Sequence, residues 1–222
     1  MANVPSLLRL DSSIDPVSSV SRQLTGVFAE TWADLGADHA VVVRDLVADP
    51  VPHLSHAALH WAPRLRSADA PELVEADAVQ QTVVEQLLAA DVLLIGAPMY
   101  NYSIPSHLKT WLDHVHVPGL LAPFDTDTQP LRGRPAVIVS SRGAIYDRGS
   151  ATAGWDHAVP PLEIVLGTAL GMELHVVTVS RTLSASVPRL AGERERFEAE
   201  LTAAQAELVE LAARLGGSPE RA

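Results

Sequence analysis

Short apolar runs alternate with helical periods along the chain, and the change of period marks out the elements. Val4 to Leu10 reads as a first strand, with Pro5 tolerated near its start. Residues 19–35 read as a helix with Leu24, Val27, Phe28, Thr31 and Trp32 on one stripe. His39 to Arg44 is a second strand. Residues 46–70 carry Pro50, Pro52 and Pro63 among mixed polarity and read as a long loop with a turn of helix at 56–61. Pro71 and Glu72 suit the first turn of a helix over 71–89. Val92 to Ala97 is a third strand that breaks at Ala97-Pro98, followed by a helix over 105–116 and a Pro- and Asp-rich excursion over 117–133. Pro135 to Ser140 is a fourth strand, residues 156–171 a helix ended by Gly171, and Leu174 to Val179 a fifth strand. A charged amphipathic helix over 191–213 closes at Gly216-Gly217.

Five strands separated by helices predict an α/β fold with a parallel, doubly wound sheet. The Val, Leu and Ile runs lack polar alternation, which predicts strands buried on both faces. With 222 residues the chain suits one domain, over 1–215, and a tail at 216–222 that frays. Composition narrows the function classes. The net charge of −11 argues against a nucleic-acid partner, because phosphate backbones are held by clustered Lys and Arg. The absence of cysteine removes disulfides, thiolate metal sites and Cys nucleophiles. No secretory leader and no apolar run of roughly 18 residues is visible, so a cytoplasmic protein without a membrane segment is expected.

Three polar loops carry the candidate chemistry. After strand one comes Asp11-Ser12-Ser13-Ile14-Asp15-Pro16-Val17-Ser18-Ser19-Val20-Ser21-Arg22, with five serines ahead of a helix. Free N–H groups at a helix start plus hydroxyls can hold a phosphate monoester without Lys, although serines also serve as caps and turn formers. After strand three comes Met99-Tyr100-Asn101-Tyr102, two aromatics and an amide that suit a flat, polar-edged ring better than a sugar or a metal. After strand four comes Ser140-Ser141-Arg142-Gly143-Ala144-Ile145-Tyr146, where Gly143 allows close backbone approach and successive N–H groups can meet an acceptor edge. In a sheet ordered 2-1-3-4-5, strands one, three and four are adjacent and their loops converge at the switch point. Hydroxyls for a phosphate, aromatics for a ring and donors for a ring edge outline a flavin mononucleotide site. No G-x-G-x-x-G follows strand one and no G-x-x-x-x-G-K-[ST] is present, which argues against a Rossmann dinucleotide site and a triphosphatase.

These segments, with Arg44-Asp45-Leu46 and Leu108-Lys109-Thr110-Trp111-Leu112-Asp113, resemble the FMN-dependent NADH:azoreductase/quinone reductase family over about residue 4 to beyond 180. The resemblance implies a flavodoxin-like homodimer with FMN at two interface sites. It places the FMN phosphate at Ser13, Ser19, Val20 and Ser21, and the isoalloxazine between Met99, Tyr100, Asn101 and Tyr102. Ser141, Arg142, Gly143 and Ala144 would line its pyrimidine side, with Ala144 standing where the family often has a second glycine. It also implies two-electron transfer from NADH or NADPH to quinones or azo compounds by alternation at one face. Tyr146 and His107 are candidate proton donors on the substrate side. The helices over 105–116 and 156–171 carry apolar positions, Leu108, Trp111, Leu112, Val115, Leu162, Ile164, Val165 and Leu166, that could form the dimer face or simply pack on the sheet.

Other readings are weaker. His53-x-x-His56-x-x-x-His60 has ligand-like spacing but lies among prolines without a carboxylate or cysteine, so solvent-facing loop histidines are expected and no metal. Asp11-Ser12 and Asp113-His114-Val115-His116 faintly resemble SGNH-type serine esterases, yet the Asp-x-x-His order falls mid-chain and no nucleophile elbow is present. A flavodoxin-type electron carrier or flavin-binding regulator is the nonenzymatic alternative, disfavoured by the long excursions at 52–70 and 117–133.

Overall fold

The structure is a computed structural model and describes residues 4–217. The tail expected to fray lies, from residue 218 on, outside the described residues. Strands β1 (Ser6–Asp11), β2 (Ala40–Asp45), β3 (Val92–Pro98), β4 (Pro135–Ser141) and β5 (Glu173–Val179) form one all-parallel sheet in the order β2-β1-β3-β4-β5. This is the expected doubly wound order. The helices are α1 (Val20–Asp34), α2 (Val74–Ala89), α3 (Ser106–Val115), α4 (Val159–Leu162, prolonged by π-helical turns over Glu163–Ala169) and α5 (Arg194–Gly216).

Side chains alternate between faces along a strand, and here the two faces carry separate cores. Leu93, Ile95 and Ala97 of β3 and Ala136 and Ile138 of β4 pack with residues of α2, α3 and α4, including Val83, Trp111 and Leu162. Val92 and Leu94 of β3 and Val137 and Val139 of β4 pack with Leu24, Phe28 and Trp32 of α1 and Leu208 of α5. All seven residues of β3 are buried, as a central parallel strand with helices on both faces requires. The expectation of two-sided burial fails at β2. It is an edge strand, and Val42 and Val43 are 47% and 56% exposed.

The helix expected over 71–89 starts at Val74 with Leu73 as its cap, so Pro71 and Glu72 lie ahead of the helix and not in its first turn, and two further boundaries differ for local reasons. β3 does not break at Ala97-Pro98: Ala97 pairs with Ser140 and Pro98 with Ser141, at a position where proline's missing N–H is not needed. The helix expected from residue 156 begins at Val159, because the Asp156 carboxylate accepts the N–H groups of Ala158 and Val159 at 2.8 and 3.1 Å. It does end at Gly171, whose φ of +75° is a left-handed conformation that glycine adopts without penalty.

The 52–70 excursion is fastened at three places. Its helical turn is a 3₁₀ turn at Ala57–His60, and the buried Gln80 amide donates to Leu59 O at 2.8 Å and to His114 O at 3.3 Å. His114 Nε2 meets Pro52 O at 2.8 Å. Arg64 donates to Gly119 O at 2.7 Å, and the Trp61 and Phe124 rings meet edge to face at 4.8 Å. The two excursions therefore pack on each other and on α2 and α3. No helix among the described residues is long and apolar enough to cross a membrane.

Candidate active site

The C-terminal ends of β1, β3 and β4 lie side by side, with Asp11 opposite Gly96 and Pro98 opposite Ser141. The loops that follow enclose a cleft of ≈ 650 Å³, a volume suited to a cofactor-sized ligand.

One end of the cleft is built by residues 12–20. Of the five serines, Ser12 and Ser21 are fully buried and committed within the protein: Ser12 Oγ donates to Gly96 O at 2.6 Å and Ser21 Oγ lies 3.1 Å from Ser19 Oγ. Ser13, Ser18, Ser19 and Val20 line the cleft. Ser19 is the N-cap of α1, its Oγ accepting the Arg22 N–H at 3.3 Å. With the Arg22 N–H capped, the N–H groups of Val20 and Ser21 have no acceptor within the helix, so this end offers donors and a positive dipole end. Among the described residues, no Lys or Arg lines the cleft. Asp15 does line it, but its carboxylate turns onto the N–H groups of Val17 and Ser18, both at 2.9 Å, and these bonds with the Ser18 hydroxyl lower its pKa.

Arg22 holds this loop from behind. Its guanidinium donates to Ser13 O at 3.1 and 2.6 Å and forms a two-pronged pair with Asp45 at the end of β2, at 2.7 and 2.9 Å. That pairing holds the Asp45 carboxyl down to about 2.

The opposite end is the Tyr100–Ser103 turn. Tyr100 and Ser103 exchange both backbone hydrogen bonds, at 2.9 and 3.1 Å, and Asn101 and Tyr102 between them have φ of +50° and +70°. Positive φ at both central positions is a type I′ turn, which asparagine tolerates and tyrosine resists. The Tyr100 hydroxyl lies 2.9 Å from Ser13 Oγ and accepts the Ile14 N–H at 3.1 Å, joining the two ends of the cleft. Met99, Tyr100, Asn101 and Tyr102 all line it.

The loop after β4 divides. Ser141, Gly143 and Tyr146 line the cleft, whereas Arg142 and Ala144 do not. Arg142 is 6% exposed, its backbone N–H donates to Val179 O at 2.8 Å, and its guanidinium is engaged by acidic partners and Ser180. Ala144 lines a small apolar hollow behind the loop with Arg181 and Leu190. The space free at Gly143 is filled by protein, since a Cβ there would meet Leu183 Cδ1 at 2.8 Å. Gly143 is needed for the approach of Leu183. Burial and the neighbouring Tyr102 raise the Tyr146 pKa, keeping a neutral phenol.

His107 opens onto a separate hollow of ≈ 560 Å³ on the far side of Tyr100 and Asn101. His53, His56 and His60 are exposed. The cleft also has a wall that the three-loop reasoning missed: Thr182, Leu183, Ala185 and Ser186, in the turn after β5. Its signal was available, since any loop after a parallel strand emerges at the same edge.

A profile of the family described as Flavodoxin-like fold matches residues 5–201. An FMN-dependent NADH:quinone oxidoreductase of Kineococcus radiotolerans is 53% identical over 209 residues, covering 94% of this chain and 99% of the relative. One of the same name from Streptomyces coelicolor is 36% identical over 204 residues, covering 91% of each. In fold, the chain is similar to an FMN-dependent NADH-azoreductase from Bacillus anthracis solved in complex with FMN, at TM-score 0.76 and 22% identity over 95% of this chain and 99% of that one.

The Arg22–Asp45 pair makes a pH prediction. A carboxyl held below its ordinary value stabilises the fold above about pH 4 and loses that contribution as pH falls toward 2. Thermal melting should therefore show Asp45→Asn less stable than wild type at pH 7, with the gap closing below about pH 4. Asn101 separates turn from side chain. Asn101→Ala should lose about 1 kcal/mol in urea titration, whereas Asn101→Gly should keep wild-type stability while removing the amide from the cleft.

Proposed function

The chain belongs to the flavodoxin-like family of FMN-dependent NADH:quinone oxidoreductases, and from that premise we propose that it passes two electrons from NADH to quinones or azo compounds in a ping-pong alternation at one cleft. The observation that carries this reading is the Ser13–Tyr100 hydrogen bond at 2.9 Å, which makes one continuous site of the α1 N-terminus and the aromatic turn. A single flavodoxin-like unit, residues 1–215, would contain it.

The donor set fits FMN. At one end, the Ser13 and Ser19 hydroxyls and the N–H groups of Val20 and Ser21 would hold the phosphate, with the Ser21 hydroxyl supporting Ser19 from 3.1 Å. A site without a cation suits a phosphate already bound to an organic body, because backbone donors and hydroxyls fix geometry while the rest of the molecule supplies contact area. Met99, Tyr100, Asn101 and Tyr102 would flank the isoalloxazine, with Ser141 and Gly143 at its pyrimidine edge. Arg142 and Ala144 do not line the cleft and are given no contact with the ring. When bound, FMN supplies the redox chemistry, accepting a hydride equivalent from NADH and returning two electrons to the acceptor. The chain's part is to hold the ring flat, exclude water from the Tyr102–Tyr146 side and keep a proton on the Tyr146 hydroxyl. His107, facing the neighbouring hollow, is the weaker candidate for a proton donor.

We also propose a homodimer. The α3 residues Leu108, Trp111, Leu112 and Val115 are buried in this chain's own core and offer no dimer face. What favours a partner is exposed apolar surface: Ile164 on the α4 extension is 63% exposed, and Ile14 and Val17 are exposed on the loop after β1. NADH dependence also favours the cytoplasm as its place of work.

The first test is the visible spectrum of the purified protein after FMN addition and desalting. Retained bands near about 370 and 450 nm, bleached by NADH and restored by a quinone, are expected. Loss of both bands on desalting would remove the reading. Ser19→Ala should weaken FMN retention by about tenfold, from loss of one hydroxyl contact to a charged group and a weaker helix cap. In sedimentation at micromolar concentration, wild type should run as a dimer and Ile164→Glu as a monomer.

A further inference from the structure

Of the aromatics that line the cleft, Tyr146 stands on the loop after β4 and meets Tyr102, and that loop is held by one buried guanidinium. Residues 143–157 leave β4 and return to α4 with their ends close together. Arg142 reaches both ends: Nη2 donates to Asp147 Oδ1 at 2.7 Å and Nη1 to Asp156 Oδ2 at 3.1 Å. Nη2 also donates to Ser180 Oγ at 2.8 Å, beyond the end of β5. The Arg142 Cζ lies 5.7 Å from the centre of the Tyr146 ring, a cation–π placement. Tyr146 meets Tyr102 edge to face at 6.3 Å, and Tyr102 meets Trp155 likewise at 5.6 Å. The return end is sewn to the aromatic turn, where His157 N donates to Tyr102 O at 2.8 Å and Ser103 Oγ to His157 O at 3.1 Å.

Nη1 and Nη2 are taken by these partners and Nε is buried without one, and the guanidinium meets the Tyr146 ring directly and Tyr102 and Trp155 only through it. Two carboxylates and a hydroxyl around a 6% exposed guanidinium form a fixed junction. Trp155, by contrast, is 50% exposed, and among the described residues its ring partner is Tyr102. Tyr102 and Tyr146 line the cleft and present flat apolar area to a flat ligand, while Trp155 stands outside the lining and braces Tyr102.

We propose that Arg142 is a positioning residue for the acceptor, clamping both ends of the 143–157 loop so that Tyr102 and Tyr146, with Trp155 bracing Tyr102 from outside the cleft, form the wall against which polycyclic aromatic acceptors rest. The inference builds on the reductase reading and narrows its substrates: fused-ring quinones are favoured over small or non-aromatic acceptors, for which the wall offers nothing. Arg142 acts through the loop and not on the flavin.

The test uses the FMN-loaded full chain and three variants. Arg142→Lys keeps a cation but loses the fork, Asp147→Asn loosens one exposed end of the clamp, and Trp155→Ala removes the brace behind Tyr102. Binding of anthraquinone-2-sulfonate is read from the shift it causes in the oxidised flavin spectrum, with no NADH present. Its dissociation constant should rise about fivefold or more in Arg142→Lys and Trp155→Ala, and less in Asp147→Asn. KM for a naphthoquinone should rise in step while kcat and the KM for ferricyanide, a small inorganic acceptor, hold steady. Hydrogen exchange of amides in 144–156 should accelerate in Arg142→Lys and Asp147→Asn, with amides of 12–20 unchanged. Unchanged exchange in both clamp variants, or unchanged anthraquinone binding despite faster exchange, would overturn the proposal. So would a parallel loss of FMN retention in Arg142→Lys, which would place Arg142 in the cofactor site. A wild-type protein that retains no flavin would instead remove the reductase reading, and the exchange data would still judge the clamp.

Discussion

Parallel pairing determines where strand ends lie, and the site follows from that. β1, β3 and β4 are hydrogen-bonded neighbours running in one direction, so Asp11, Pro98 and Ser141 finish at the same edge of the sheet. Each strand must give way to a crossover, and each crossover starts with a loop at that edge. Because β3 is buried along its whole length, its register cannot slip without exposing apolar side chains. The cleft thus inherits its shape from the most rigid part of the molecule.

On that frame the loops are held by charges that never reach the cleft. Arg22, shared between Ser13 O and Asp45, holds the loop after β1. Arg142, shared among Asp147, Asp156 and Ser180, holds the loop after β4. Both guanidiniums sit at strand ends and use their planar forks to join segments distant in sequence. The result is a cleft lined by hydroxyls, amides and aromatics, with cationic charge kept one layer behind. The left-handed pair Asn101 and Tyr102 is the exception to this economy, since backbone strain there is tolerated to turn a tyrosine outward. The Tyr100 hydrogen bonds to Ser13 and Ile14 help to hold the strained turn in place.

Much of this was legible in the residues. The unbroken apolar runs of Val92–Ile95 and Ala136–Val139 announced central strands, because only burial on both faces accommodates such runs. Serines before α1, aromatics after β3 and a glycine after β4 pointed to one cleft, since parallel strands in the 2-1-3-4-5 order deliver their loops together. The type of fold, the order of elements and the chemistry of the loops depend on local pattern and on strand direction, and both are written in sequence.

Tertiary structure alone decided which members of each loop face the cleft. Ser12 and Ser19 are both serines of one loop, yet one is buried on Gly96 O and the other caps a helix at the rim. Arg142 and Gly143 are adjacent, and only the second lines the cleft, because two aspartates and a serine from later in the chain claim the arginine. The glycine's freedom, which suggested room for a ligand, is taken up by Leu183 from the turn after β5. β2 reads like its central neighbours but is left half open because, among the described residues, no strand pairs with its outer edge. The sequence by itself determined which residue types arrive at the edge of the sheet. Their orientation depended on contacts between segments far apart along the chain, and such contacts leave no periodic trace in the sequence.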